Sequence, residues 1–174
     1  SLYYFGTFFP NRLDIGNRPY GNLIQGSDGI LYGTTVGGGP SNLGTVYEIT
    51  TNGFLTTLYS FGNSPGGYDA SGYHYTNFDG IQPYTGLVQG SDGNLYGTTA
   101  AAGGYGNGSI FRMTPGGTLN TNIAHSFSPW YNSDNGTNAD GIWPLGDLIQ
   151  AKDGNFYGTT YQGGSAGNIN AGNQ

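Results

Sequence analysis

Apolar and polar positions alternate in short runs along this chain, and one run is written three times. Leu23–Thr35 reads LIQGSDGILYGTT, Leu87–Thr99 reads LVQGSDGNLYGTT and Leu148–Thr160 reads LIQAKDGNFYGTT. The shared glutamines Gln25, Gln89 and Gln150 stand 64 and 61 residues apart. Self-similarity at a nearly fixed period marks one supersecondary unit used repeatedly. Each copy sets two short apolar runs on either side of Asp-Gly, which predicts a β-hairpin with a two-residue type I′ turn. The expected turn residues are Asp28 and Gly29, Asp92 and Gly93, and Asp153 and Gly154.

More strands follow in order. After the first hairpin comes a glycine-rich link, Gly37–Gly44, then an expected third strand at Thr45–Thr50 and a fourth at Phe54–Phe61, with Thr51-Asn52-Gly53 turning between them. The second copy repeats this with Ser109–Thr114, a turn at Pro115-Gly116-Gly117 and Thr118–Phe127. Pro19, Pro83 and Pro144 open the three units, where a first strand residue tolerates a missing N–H. Gly or Pro interrupts nearly every window long enough for a helix. The expected fold is therefore all-β, built of β-propeller-like blades of four antiparallel strands. The repeats span 19–82, 83–143 and 144–174 of a single domain, the last being incomplete.

Leu2-Tyr3-Tyr4-Phe5 matches Leu58–Phe61 and Ala124–Phe127, so residues 1–18 read as the tail of a preceding repeat plus a connector. Closed propellers use about four to eight blades. Two and a half to three repeats form an incomplete ring or part of a larger assembly. Of the three routes, a piece of a longer protein is expected ahead of several chains completing the ring or blades stacking openly.

Composition changes the picture in two ways. Thirty-five glycines could signal disorder, but 15% of residues are aromatic and they recur in register, so the glycines punctuate turns. Only 8% of residues are charged, and the net charge is −6. Four scattered cations (Arg12, Arg18, Arg112 and Lys152) cannot supply a phosphate-binding surface, so nucleic acid is not an expected partner. No apolar run approaches the roughly 18–20 residues of a membrane-spanning helix, and membrane insertion is not expected. No signal segment opens the chain, and starting at Ser1 it reads as a processed or fragmentary product. Without cysteine there is no disulfide or zinc-thiolate site.

Several words together carry a family resemblance: GSDGNLYGTT at Gly90–Thr99, GTVYEIT at Gly44–Thr50, LTTLYSF at Leu55–Phe61 and Asp-Gly-x-x-Pro at Asp79–Pro83. In this order they resemble the GloVer-type tandem repeat, a family of bacterial exported proteins frequent in verrucomicrobial and cyanobacterial genomes, often with a surface-anchoring tail. The resemblance covers most of the chain. It implies an exported, propeller-like protein at the cell surface or outside the cell, and brings no established activity or catalytic residue. The sequence departs from that pattern in its Tyr-rich connections and in showing no anchor segment.

Candidate chemistry is sparse. The three Asp-Gly aspartates read as turn formers rather than a ring of acids. Asp134, Asn138, Asp140, Gly141 and Asp147 resemble a calcium loop in outline, but the EF-hand spacing fails and Asn77–Gly80 repeats the same word as a shared turn. No cofactor is expected, with calcium the one metal whose oxygen ligands are present. His125 falls where Tyr4 and Tyr59 fall, in a strand; His74 lies in a loop. No Gly-x-Ser-x-Gly elbow occurs, and Gly37–Gly39 and Gly103–Gly108 lack the Lys and helix of a phosphate loop. Tyr32, Tyr96 and Tyr157 are expected in core or inter-blade packing. Asn107 and Asn135 begin Asn-x-Ser/Thr sequons.

The long polar connections Gly62–Gln82 and Ser128–Trp143 are where a ligand would be recognised. The candidate ligand-binding residues are their aromatics Tyr73, His74, Tyr75, Trp130 and Tyr131. The expected function is a non-enzymatic exported binding or assembly scaffold. Its partners are other copies, the rest of its own propeller, or polysaccharide. Alternatives are a carbohydrate-binding module, a structural subunit of an extracellular fibre, and, last, an enzyme completed by residues elsewhere.

Overall fold

The computed structural model describes residues 3, 5, 15–62, 67–68, 75–120, 124–129, 138 and 140–164; for 67, 68, 75, 76 and 78 it describes the backbone. The described chain is all-β, in several antiparallel sheets. The first repeat forms a sheet in the order β1 (Ile24–Gln25), β2 (Leu31–Thr35), β3 (Thr45–Ile49), β4 (Leu55–Ser60). The second follows the same order with β7 (Val88–Gln89), β8 (Leu95–Thr99), β10 (Ser109–Met113) and β11 (His125–Ser126). The third contributes a two-stranded sheet, β12 (Ile149–Gln150) with β13 (Phe156–Tyr157).

Register is the same in each copy. Ile24 faces Tyr32, Val88 faces Tyr96 and Ile149 faces Tyr157. Gly33 faces Tyr47 and Gly97 faces Phe111, so each glycine lies under an aromatic ring. The β3–β4 register shifts between Val46 and Tyr47, where Leu58 is the extra residue, so the bulge lies in β4 and bends it.

The hydrophobic core is the seam between repeats. Tyr32, Val46 and Phe61 from the first repeat pack with Leu87, Leu95, Phe111 and Met113 from the second. Phe61 meets Phe111 edge-on, 5.2 Å between ring centres. Phe5 meets Tyr47 at 5.0 Å with the rings tilted by 59°, so Phe5 occupies on the first repeat the place that Phe61 occupies on the second. Each sheet thus covers one face with its neighbour's side chains, as stacked repeats do.

Four sequence expectations need correcting. The hairpin loops are not two-residue type I′ turns, because φ is positive at Gly29, Gly93 and Gly154 but not at the preceding aspartates. Gly29 N bonds Gly26 O and Gly26 N bonds Ile30 O, with Gly93 and Gly154 repeating the pattern. That is the three-residue loop in which a type I turn is followed by a left-handed glycine. Pro83 and Pro144 are not strand residues; they precede β7 and β12 by five positions. They follow Gln82 (φ 57°) and Trp143 (φ 53°), left-handed non-glycine residues held by Ala100 N to Gln82 O (3.0 Å) and Tyr161 N to Trp143 O (2.9 Å).

The connection Gly62–Gln82 is not all loop. It contributes β5 (Gly67–Tyr68) and β6 (Tyr75–Ile81), which pair with each other, and β6 pairs with β9 (Ala101–Gly103). Alternation hid this strand because its buried positions carry Asn77 and Asp79. Asn77 closes on Gly80, accepting from its N–H at 2.8 Å, while Asp79 Oδ2 accepts from Tyr59 Oη (2.8 Å) and Gly62 N (3.0 Å). Of the expected strand Thr118–Phe127, the described residues form β11 and a bridge of Met113 with Leu119.

Candidate functional site

The three marker glutamines form the clearest polar arrangement. Each lies at the end of the first strand of its repeat and donates Nε2 to the carbonyl of its own turn glycine: Gln25 to Gly29 (3.2 Å), Gln89 to Gly93 (3.0 Å), Gln150 to Gly154 (2.9 Å). The other end of the amide reaches back one repeat. Ser27 N donates to Gln89 Oε1 and Ser91 N to Gln150 Oε1, both at 2.8 Å. The first two turns are therefore each clamped by their own glutamine and by the next, and the third by its own.

A second set of bonds crosses the seam. Thr34 Oγ1 donates to Thr85 O (2.6 Å) and Thr98 Oγ1 to Pro144 O (3.1 Å). Asp147 Oδ1 accepts from Gly86 N at 2.8 Å and Oδ2 from Asn22 Nδ2 at 3.4 Å, so one carboxylate ties three repeats. The strands β1, β7 and β12 line one open concavity of about 800 Å³.

The turn aspartates hold local structure. Asp28 Oδ1 accepts from Ile30 N (3.0 Å) and Oδ2 from Tyr32 Oη (2.7 Å); Asp92 and Asp153 do the same with Tyr96 (2.9 Å) and Tyr157 (2.8 Å). Tyr32 is buried, whereas Tyr157 is 51% exposed because no described strand follows it. The Tyr32 bond draws the Asp28 carboxyl below its ordinary 3.8, bonds led by Asn94 do so for Asp92, and bonds led by Tyr157 do so for Asp153. At Asp140 burial pushes upward, but bonds from Ser128 and His125 outweigh it and the net direction is down. Burial lifts the phenols instead: Tyr47 to about 12, and Tyr32 and Tyr96 above their ordinary 10.

The pH dependence follows. Carboxylates with lowered values contribute stability above 3.8 and lose it as pH falls through the folded values; phenols with raised values contribute below 10 and lose it as pH rises beyond. The melting temperature should hold nearly flat between about pH 5 and 9. It should fall at both extremes, and a rise below pH 4 in circular-dichroism melts would contradict these assignments.

The calcium-loop residues have other partners. Asn138 Oδ1 accepts from Gly141 N (2.8 Å), Asp140 accepts from Ser128 N (3.0 Å) and contacts His125 Nε2 (2.7 Å), and Asp147 holds the seam. Asp134 lies outside the described residues. Among the described residues no three His, Asp or Glu side chains gather as a metal site. Tyr73, His74, Trp130 and Tyr131 also lie outside the described residues, and Tyr75 is described only as backbone in β6. The structure does present other exposed aromatics. Tyr20 and Tyr84 stand 5.8 Å apart, and Trp143 and Tyr161 6.0 Å apart, all four at the surface.

This register, with Gln, Asp-Gly and Tyr-Gly-Thr-Thr returning in the same roles, decides the family: the Gloeobacter/Verrucomicrobia repeat matches residues 4–172. The chain belongs to that family. No curated protein and no solved structure matches it. In this member of the Gloeobacter/Verrucomicrobia repeat family the sequence signal for the glutamine clamp is the recurrence of Gln at one place in all three copies.

Proposed function

We propose that this chain is a non-enzymatic, exported or cell-surface scaffold, an arc of a β-propeller whose loops and open surfaces bind partners. The observation that carries the reading is the glutamine clamp, repeated with the same atoms at consecutive seams. Equal links between equal units give a stiff, regularly turning array. The first strands of the three repeats sharing one concavity fits innermost strands around a propeller channel. Among the described residues, Asp28, Asp92 and Asp153 hold turns and Asp147 holds the seam. Family membership and the scarcity of lysine favour an exported protein.

A carbohydrate-binding role is the second reading, favoured by the exposed pairs Tyr20–Tyr84 and Trp143–Tyr161, which offer flat apolar faces for sugar rings. A polysaccharide array probed with wild type, Trp143→Ala and Tyr84→Ala tests both readings. Saturable binding that falls at least tenfold in one variant supports sugar recognition, and an array blank for wild type removes it. Cleavage of any polysaccharide by wild type overturns the non-enzymatic reading. Class averages from negative stain should display an arc or ring with a central opening; featureless particles would remove the propeller.

A further inference from the structure

The turn between β3 and β4 carries an exposed Asn-Gly step. The sequence holds three such steps, Asn52-Gly53, Asn107-Gly108 and Asn135-Gly136. At such a step the next backbone nitrogen can attack the asparagine side chain, because glycine puts no Cβ in the way. Access, and how firmly both groups are held, decides whether the attack occurs. Asn107 is held. It is 3% exposed, its Nδ2 donates to Ser128 O (2.6 Å), and Gly108 N donates to Ala102 O (2.9 Å). A Cβ on Gly108 would stand 2.4 Å from Thr99 O, so backbone packs closely against this step. Asn135 lies outside the described residues.

Asn52 is the opposite case. It is exposed, as are Thr51 and Phe54 on either side of the step. The Thr50 hydroxyl donates to its Oδ1, and among the described residues nothing bonds its Nδ2. Gly53 has φ +88° and donates its N–H to Thr50 O at 2.8 Å, a surface turn bond that opens without disturbing the core. The openness belongs to the position rather than to a missing neighbour. The second repeat makes the same turn, with Gly117 N to Thr114 O at 2.9 Å and Thr118 N to Thr114 Oγ1 at 3.2 Å, matching Phe54 N to Thr50 Oγ1 at 3.1 Å. That turn packs on the first repeat, since a Cβ on Gly117 would stand 2.8 Å from Leu58 O. Gly116, in the place of Asn52, is nevertheless exposed, and its Cβ would meet only Thr114 Oγ1, at 3.8 Å. The Asp-Gly steps of the three hairpins are guarded by comparison, each carboxylate being held by a backbone N–H and a tyrosine hydroxyl.

We propose that Asn52-Gly53 is a self-modifying site, at which the folded protein loses ammonia without an enzyme. When the turn bond opens, a base takes the Gly53 amide proton and the nitrogen attacks Asn52 Cγ. Negative charge gathers on Oδ1, where the Thr50 hydroxyl already donates. The Cγ–Nδ2 bond then breaks, and Nδ2 leaves as ammonia with a proton returned by the base. A five-membered succinimide now joins the side chain to Gly53 N. Water opens this ring at either carbonyl, leaving an aspartyl residue or an isoaspartyl residue whose main chain runs through the β-carbon. Either product adds one negative charge to a chain of net charge −6. The charge arrives at the outer half of the sheet, away from the first strands that line the concavity. The inference is independent of the scaffold and sugar readings.

Peptide mapping of the 1–174 protein, aged in mildly alkaline buffer, tests the proposal and reads each Asn-Gly step separately. Residue 52 should convert to the acid about tenfold faster than residue 107, or more, and its isoaspartyl product should be labelled by an isoaspartyl methyltransferase. In denaturing urea the two rates should converge, because the fold alone sets them apart. Asn52→Gly, which copies Gly116 of the second repeat, should fold as wild type and release correspondingly less ammonia. Thr50→Val removes the donor and also loosens the turn. A looser turn by itself would speed the reaction, so slower conversion supports the part given to the hydroxyl, and equal or faster conversion removes it. Equal rates at 52 and 107 in the folded protein, or a difference that persists undiminished in urea, overturns the proposal.

Discussion

Truncation of Phe111 to alanine should cost about 3–5 kcal/mol, the range for deleting a large buried aromatic side chain. Its ring is 1% exposed, lies over Gly97 and meets Phe61 edge-on, so three elements from two repeats lose contacts at once. Collapse cannot refill the space cheaply, because Leu87, Leu95 and Met113 are already buried around it. For a chain of this size the loss corresponds to a fall in melting temperature on the order of 10 °C. Phe54→Ala is the matched control: Phe54 is 69% exposed and its loss should stay within about 0.5 kcal/mol. Because the core is the seam, the damage should appear as uncoupling. In stacked repeats the interface term carries cooperativity, so urea unfolding of Phe111→Ala should broaden or split. A single steep transition within 1 kcal/mol of Phe54→Ala would show that the repeats do not depend on this seam.

Local features of the fold were legible in the sequence, and long-range ones were not. The Asp-Gly hairpins, the third strands and the four-strand order follow from turn residues and alternation within a dozen positions. Asp-Gly suits either loop, so the sequence does not separate the turn types, and the deciding bond joins Gly26 N to Ile30 O rather than closing a two-residue turn. β6 escapes the alternation pattern because its buried positions carry Asn77 and Asp79, which bond Gly80, Tyr59 and Gly62. The glutamine clamp was invisible because its partner is a backbone N–H 62 residues away, which no side-chain pattern records.

Gly44→Ala tests a different kind of constraint, the close approach of backbone at a repeat junction. Gly44 holds φ at +109°, and an added Cβ would stand 2.5 Å from Pro83 Cδ, 2.6 Å from Thr35 O and 3.2 Å from Val36 O. Two of those neighbours are backbone and the third is a rigid ring, so nothing can rotate aside. The junction also carries Phe61 N to Gly44 O (2.9 Å) and Gln82 N to Leu43 O (2.8 Å), which any shift would lengthen. Left-handed strain of about 1–3 kcal/mol and overpacking of a similar size add, for an expected loss of about 2–5 kcal/mol. Gly29→Ala separates the two contributions, since Gly29 has φ +83° with nothing within 4 Å of the new methyl. It should lose only about 1–2 kcal/mol, the cost of the backbone conformation alone. Equal losses in the two variants would mean that Pro83 and Thr35 give way, and that the first and second repeats are joined more loosely than their shared core requires.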